Sequence, residues 1–438
     1  MSKTVIVLVM LGVFAADMSC SGAPAEDAPE PQDPMQAEAH NENGITLAKN
    51  GQYAQAIAEF GKALQFRKGY ADAYFNRGLA YRLNGMPDKA IEDFSQAVEL
   101  KPQHAEAYFN RALALAEKRL YDQAIQDFNK TLEIDPKFAD AYLSRGLAYR
   151  LKGAYTQAIA DYGSALNLNA KSARAHFNRG LAYADQGLSD KAIEDYDNAL
   201  KLDPKDPKIY VNRGVTFARK GKIDEAIGDY NRALKLNEDY AQAYFNRGHA
   251  YYLKGNYQSA IEDFTMALKG NPQDAEALYN RGLVYARMGR NQDAISDFTR
   301  ILESDPKHFK ALNNRGLILF QTDKLDEAVS DFNRAIELRP GDAFAYFNRG
   351  LVFADRNLHD KAIQDFEKVL QLNPKDADAC LNLAEAYDKI GWKPQALETY
   401  RKYLDLARPE HLEIINRVRA RLKELEATPD QKPAEPNR

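Results

Sequence analysis

Cysteine is almost absent: Cys20 and Cys380 are the only two in 438 residues. They lie in unlike stretches, so no disulfide framework is expected. The seven histidines (His40, His104, His176, His249, His308, His359 and His411) form neither an HExxH pair nor a Cys/His cluster. No GxGxxG or phosphate-cradling loop occurs, and no catalytic, metal or cofactor site is therefore expected. Charge of one sign does not accumulate either: 59 Lys and Arg stand against 63 Asp and Glu. A nucleic-acid partner would ask for a basic footprint that this chain lacks. Long apolar runs are confined to Thr4–Ala16, too short to cross a hydrocarbon core of ~30 Å as a helix.

That run follows a short segment with one lysine, Lys3, and precedes Asp17-Met18-Ser19-Cys20. A charged start, an apolar core and small residues describe an export signal, here 1–19. Cys20 stands where bacterial lipoproteins carry their acylated cysteine. Ser19 fits that resemblance, and Asp17 departs from it, since a Leu or similar residue is usual there. The alternative is ordinary cleavage, for instance after Ala23-Pro24-Ala25, with Cys20 discarded. Residues 20–36, rich in Pro, Ala and acids, read as a flexible tether. The expectation is an exported chain, either anchored through a lipid on Cys20 and facing the periplasm or cell exterior, or soluble in those spaces.

What is present in abundance is one pattern. From Ala37 to Glu410 a 34-residue unit recurs eleven times without insertion or deletion. Numbering each copy 1 to 34, position 20 is always Ala and position 24 always aromatic. Position 8 is Gly in nine copies and Ala in two, Ala112 and Ala384. Positions 4, 8 and 11, and again 20, 24 and 27, follow helical spacing, so each copy holds two amphipathic helices. Gly at position 15 in eight copies stops the first helix, with Asn357 and Asp323 serving in two others and Arg119 the exception. Pro at position 32 in seven copies ends the second helix, and Asp206, Asp274 and Asp376 can cap the next. Small residues at positions 8 and 20, such as Gly78 and Ala90, let the helices approach, and the ring at position 24 fills the adjoining space.

The run Tyr74, Gly78, Tyr81, Ala90, Phe94, Ala97, Pro102 resembles the tetratricopeptide repeat family at that family's period. The resemblance covers 37–410 and implies an all-α, right-handed α-solenoid of eleven helix-turn-helix units. Its concave groove would be lined mainly by the first helix of each pair. Residues 411–426 read as a capping helix whose Leu412, Ile415, Val418, Leu422 and Leu425 face the array, and 427–438 as a disordered tail. One departure from the family stands out. Position 7, usually apolar, is Arg in nine copies, and position 23 is Asp in the same nine. The pairs are Arg77 with Asp93, Arg111 with Asp127, Arg179 with Asp195, Arg213 with Asp229, Arg247 with Asp263, and their equivalents. Both vanish in the first and last copies, so an Arg–Asp ion pair within or between copies is expected.

For function the resemblance directs attention to position 6, which faces the groove in this family. It is Asn at Asn76, Asn110, Asn178, Asn212, Asn246, Asn280, Asn314, Asn348 and Asn382. An amide donates and accepts, so a row of them can pair with any extended backbone. Phe75, Phe109, Phe177, Phe245 and Phe347 at position 5 add rings beside the row. The expected partner is a protein or an extended peptide segment, held without catalysis in an envelope assembly. A glycan-handling scaffold is the second reading, since rings and amides also suit sugars. Alternatively, the Asn bonds neighbouring backbone, and the Phe packs between copies. The basic pair with which some relatives grip a carboxylate terminus is missing, because position 5 is never Lys and position 6 never basic. His249 replaces the usual Leu at a groove position, Cys380 reads as a buried thiol, and Trp392 as a packing residue in a turn.

Overall fold

The computed structural model describes residues 33–427. The export signal, Cys20, nearly all of the tether and the tail from residue 428 lie outside the described residues. Among those described there are 23 α-helices, one short 3-10 helix and no strand, an all-α solenoid of helix hairpins. The first helix, Pro34–Lys49, takes in the last three residues of the stretch read as tether. Pro34 suits a first helical turn, and the Asp33 side chain accepts from Gln36 N at 3.1 Å.

The chain falls into two compact bodies divided between Ala170 and Lys171. Each is built from a repeated pair: a first helix such as Ala71–Leu83 or Ala241–Leu253, then a second such as Pro87–Leu100 or Tyr257–Gly270. Within each body every helix packs on its successor in sequence. Successive first helices also touch one another, as Ala71–Leu83 does Ala105–Glu117. The first helices thus form a continuous inner row within each body.

The hairpin bend depends on one backbone conformation. Position 15 is left-handed throughout, with φ from 71° to 83° at the eight glycines. Arg119, Asp323 and Asn357 adopt it too, at 63°, 61° and 59°. For Arg119, which has no short polar side chain to ease the strain, this costs about 1 kcal/mol. The bend is closed by bonds such as Met86 N to Tyr81 O at 2.9 Å, which satisfy carbonyls at the helix end. Asp206, Asp274 and Asp376 accept from backbone N–H groups of the helices they precede, as do Ser172 and Asp342.

The core is the row of rings at position 24, of which Phe60, Phe94, Phe128, Tyr162, Phe264, Phe298, Phe332 and Phe366 are wholly buried. Glycine at position 8 is the counterpart of this ring. A Cβ on Gly78 would stand 2.7 Å from Phe94 Cε1. Position 20 is close as well: a Cβ on Gly180 would stand 3.2 Å from Ala192 O. At the far end, Leu412–Ala427 buries Ile415, Val418, Leu422 and Leu425. Leu412 does not join them and is 59% exposed. It opens the helix directly after the 3-10 turn Pro409–His411, so its side chain clears the surface that the later turns cover.

Candidate functional site

The nine arginines at position 7 have a common geometry. Arg77 Nε and Nη2 donate to Asp93 Oδ2 and Oδ1 at 2.7 and 2.8 Å. Arg111, Arg179, Arg213 and Arg247 hold Asp127, Asp195, Asp229 and Asp263 in the same two-pronged way. So do Arg145, Arg281, Arg315 and Arg349 with Asp161, Asp297, Asp331 and Asp365. The carboxylates are buried. Arg77 also lies 5.6 Å from the ring centre of Tyr74 and 5.8 Å from that of Tyr81, at positions 4 and 11. The hydrogen bonds Arg77 donates to Asp93 raise its guanidinium above its ordinary value against the opposing effect of burial. Burial pushes the Asp93 carboxyl up while Arg77 pulls it back. Two short parallel bonds keep such a pair ionised and fix helix register.

In seven of the nine the third guanidinium nitrogen reaches into the preceding copy. Nη1 of Arg111 donates to Ser95 Oγ at 3.1 Å, and that of Arg145 to Asn129 Oδ1 at 2.7 Å. Arg281 reaches Thr265, Arg315 Thr299 and Arg349 Asn333, while Arg213 reaches Asp197. All these acceptors stand at position 25, which sequence reading passed over. Its residue type changes from copy to copy, with Ser, Asn, Asp or Thr supplying the oxygen, and Gly61 and Gly163 leave Arg77 and Arg179 without this third bond. A second tie between copies joins Lys254 to Asp224 and Arg356 to Asp326, each at 2.5 Å.

The two end copies replace the pair in different ways. In the first, Glu59 at position 23 is bonded by Lys62 at 2.6 Å and His40 at 2.7 Å. Hydrogen bonds from Lys62, His40 and Asn43 hold its carboxyl down at about 2. In the last, Leu383 and Thr399 take the Arg and Asp places, and Tyr387 Oη donates to Glu367 Oε1 at 2.6 Å.

The amides of position 6 lie along the inner row, half-buried except for Asn348, which is buried. In Asn110, Asn212, Asn280, Asn314, Asn348 and Asn382, Nδ2 donates to the carbonyl four residues back in the same helix, at 2.8 to 2.9 Å. This bond orients the amide and leaves its Oδ1 available. Asn76 instead donates to Asn41 at 3.1 Å, and Asn314 reaches Tyr279 Oη at 3.1 Å as well. Asn246 Nδ2 is buried with no hydrogen-bond partner, as is Oδ1 of Asn313 in the ninth copy. Asn178 is half-buried in the same register. The position-5 rings are engaged in packing: Phe75, Phe109, Phe177, Phe245 and Phe347 sit 5.7 to 6.0 Å from the position-24 rings of their own copies. They form the floor beside the amides more than free contact groups.

Other residues are quickly placed. His249 is exposed, and Cys380 is fully buried, which pushes its thiol up. Trp392 stacks on Tyr387 with ring centres 5.8 Å apart. Among the described residues no group of three or more His, Cys, Asp and Glu could hold a metal ion. No described helix is long and apolar enough to cross a membrane.

Comparison with known proteins agrees with this architecture. Models described as "Tetratricopeptide repeat" match residues 71–138, 173–206, 195–228, 279–343, 343–376 and 377–409. Models described as "TPR repeat" match 44–85, 146–187, 216–255 and 248–289. No curated protein matches the chain. Among solved structures, YrrB, a TPR protein with an unusual peptide-binding site, is 26% identical, with 43% of this chain and 96% of that one aligned at a TM-score of 0.40. Yeast Tom70 is 18% identical over 89% of this chain and 95% of its own, at 0.39. A tetratricopeptide repeat protein from Parabacteroides merdae is 21% identical over 57% and 98%, at 0.47. Helix hairpins at a 34-residue period, left-handed bends at position 15 and small-residue-to-ring packing thus coincide with the matched models, and the chain belongs to the tetratricopeptide repeat family.

Proposed function

We propose that the protein is a non-enzymatic scaffold that holds an extended segment of a partner protein along the amides of its inner row. The observation that carries this reading is the amides' state. Most are oriented by a bond to their own helix with Oδ1 left available, and Asn246 keeps a buried Nδ2 without any partner. Oriented amides repeated along a row, each with an acceptor left available, suit a ligand's donors and acceptors. An extended backbone supplies both at regular intervals.

The export signal supports placing this scaffold in a bacterial envelope assembly, anchored through Cys20. Labelling with a fatty-acid analogue tests the anchor: label on the wild type that disappears in Cys20→Ala is expected, and label that persists contradicts it. Affinity capture from envelope extract tests the partner class. A discrete protein bound by the wild type and lost on changing Asn212 and Asn246 to Ala supports the reading. Retention on polysaccharide resin with no protein captured favours the glycan-handling alternative, for which the amides and the exposed ring of Phe344 are the supporting features.

A further inference from the structure

A pocket opens in the second body where the array loses its arginine. It measures about 510 Å³ and is lined by Glu367, Leu383, Tyr387, Glu398, Thr399 and Lys402, among others. These residues occupy telling positions. Leu383 is at position 7, Tyr387 at 11 and Thr399 at 23 of the last copy, and Glu367 is at position 25 of the copy before. Around Arg145, Arg213, Arg247, Arg281 and Arg349, those same four positions are the arginine itself, a ring beside it, its carboxylate and the acceptor of its third nitrogen. In Arg349, for example, the guanidinium lies 5.7 Å from the Phe353 ring centre, holds Asp365, and donates to Asn333 at 2.5 Å. In the last copy Leu383 is too short to reach this place, and the space stays open.

We propose that this pocket binds a guanidinium group, the side chain of an arginine presented by a partner chain. It is a second recognition site, independent of the amide row. Thr399 replaces the Asp, but two carboxylates face the space: Glu367 stands where seven other copies have Ser, Asn, Asp or Thr, and Glu398 adds a second. Among the described residues neither is in an ion pair, and Glu367 accepts only from Tyr387 Oη, at 2.6 Å. Tyr387 supplies the ring over which a planar cation sits, itself backed by Trp392. Lys402 does not close the site. It is at position 26, where Arg232 stands in the sixth copy and coexists with the Arg213–Asp229 pair. A guanidinium fits this set better than an ammonium, because it can face the ring and donate in its own plane to two carboxylates at once.

Trp392 is the only tryptophan, so its fluorescence reports on the pocket. The test titrates the full chain with N-acetyl-arginine amide and, in parallel, N-acetyl-lysine amide at equal ionic strength. The expected result is a saturable change for the arginine probe and at least tenfold weaker binding of the lysine probe. Leu383→Arg with Thr399→Asp, which rebuilds the internal pair, should abolish the response while keeping the helix content. Glu367→Gln should weaken it at least tenfold. No saturable response in the wild type, equal responses to both probes, or a response that survives either variant overturns the proposal.

Discussion

Arg315 Nη1 donates to Thr299 Oγ1 across 2.9 Å, while Nε and Nη2 of the same side chain hold Asp331 at 2.7 Å. One guanidinium thus closes the hairpin of its own copy and ties it to the copy before. Removing it leaves Asp331, 2% exposed, without its counter-charge. Arg315→Met is expected to destabilise the surrounding hairpins by about 3–5 kcal/mol, and Arg315→Met with Asp331→Leu to recover most of that loss. Thr299→Ala, which removes one neutral acceptor, should cost about 1 kcal/mol. Hydrogen exchange in Phe309–Gln321 and Leu325–Leu338 reads all three locally, where a single unfolding transition of a repeat array would not.

Two glycines should respond to alanine with opposite sign. At Gly78 a new Cβ would meet Phe94 Cε1 at 2.7 Å, and the ring is wholly buried. Gly78→Ala is expected to cost about 1–3 kcal/mol. Gly228, inside the helix Ile223–Leu236, has nothing within 4 Å of its would-be Cβ. Gly228→Ala should stabilise by about 0.5–1 kcal/mol through helix propensity. Urea midpoints of the two variants against the wild type check the signs.

Acid should loosen the first copy in a defined window. The Glu59 carboxyl is held at about 2 against 4.5 in an unconstrained chain. Its folded value is depressed, so its contribution is fully present above about pH 4.5 and is lost as pH falls toward 2. Exchange of amides in Pro34–Lys49 and Tyr53–Phe66 should accelerate across that window beyond the intrinsic pH dependence. In Glu59→Gln the extra acceleration should be absent.

The closing helix should guard Cys380. The thiol lies in the same core cluster as Val418, Leu422 and Leu425. It is expected to be unreactive toward a soluble disulfide reagent in the folded chain. Val418→Asp with Leu422→Asp, which detaches Leu412–Ala427, should raise its labelling rate at least tenfold. Unchanged labelling would mean that the helix does not shield the last hairpin.

The hairpin was readable in the sequence because its requirements are strict at single positions. Only glycine or alanine fits against the ring at position 24, and the bend at position 15 favours glycine. Arg119 shows the limit, because the surrounding copy imposes the left-handed bend on a residue that local preference would exclude. Arg at position 7 and Asp at 23 appear and vanish together along the chain, and in the structure they meet. Their third partner at position 25 was hidden because four residue types supply the same oxygen. The amides were visible as a row, but not their bonds. Whether an Asn turns to its own carbonyl four residues back depends on the crowding around it, which no single position records. Leu412 misled because helical spacing places it with Ile415, while the 3-10 turn before it decides where it stands.

The central claim is that the position-6 amides hold a partner while the Arg–Asp pairs hold the fold. The direct test measures the affinity of the captured partner segment for the wild type and for Asn212→Ala with Asn246→Ala, alongside the helix content and urea midpoint of each. The account predicts at least tenfold weaker binding with helicity and midpoint unchanged. Undiminished binding by the folded variant would contradict it.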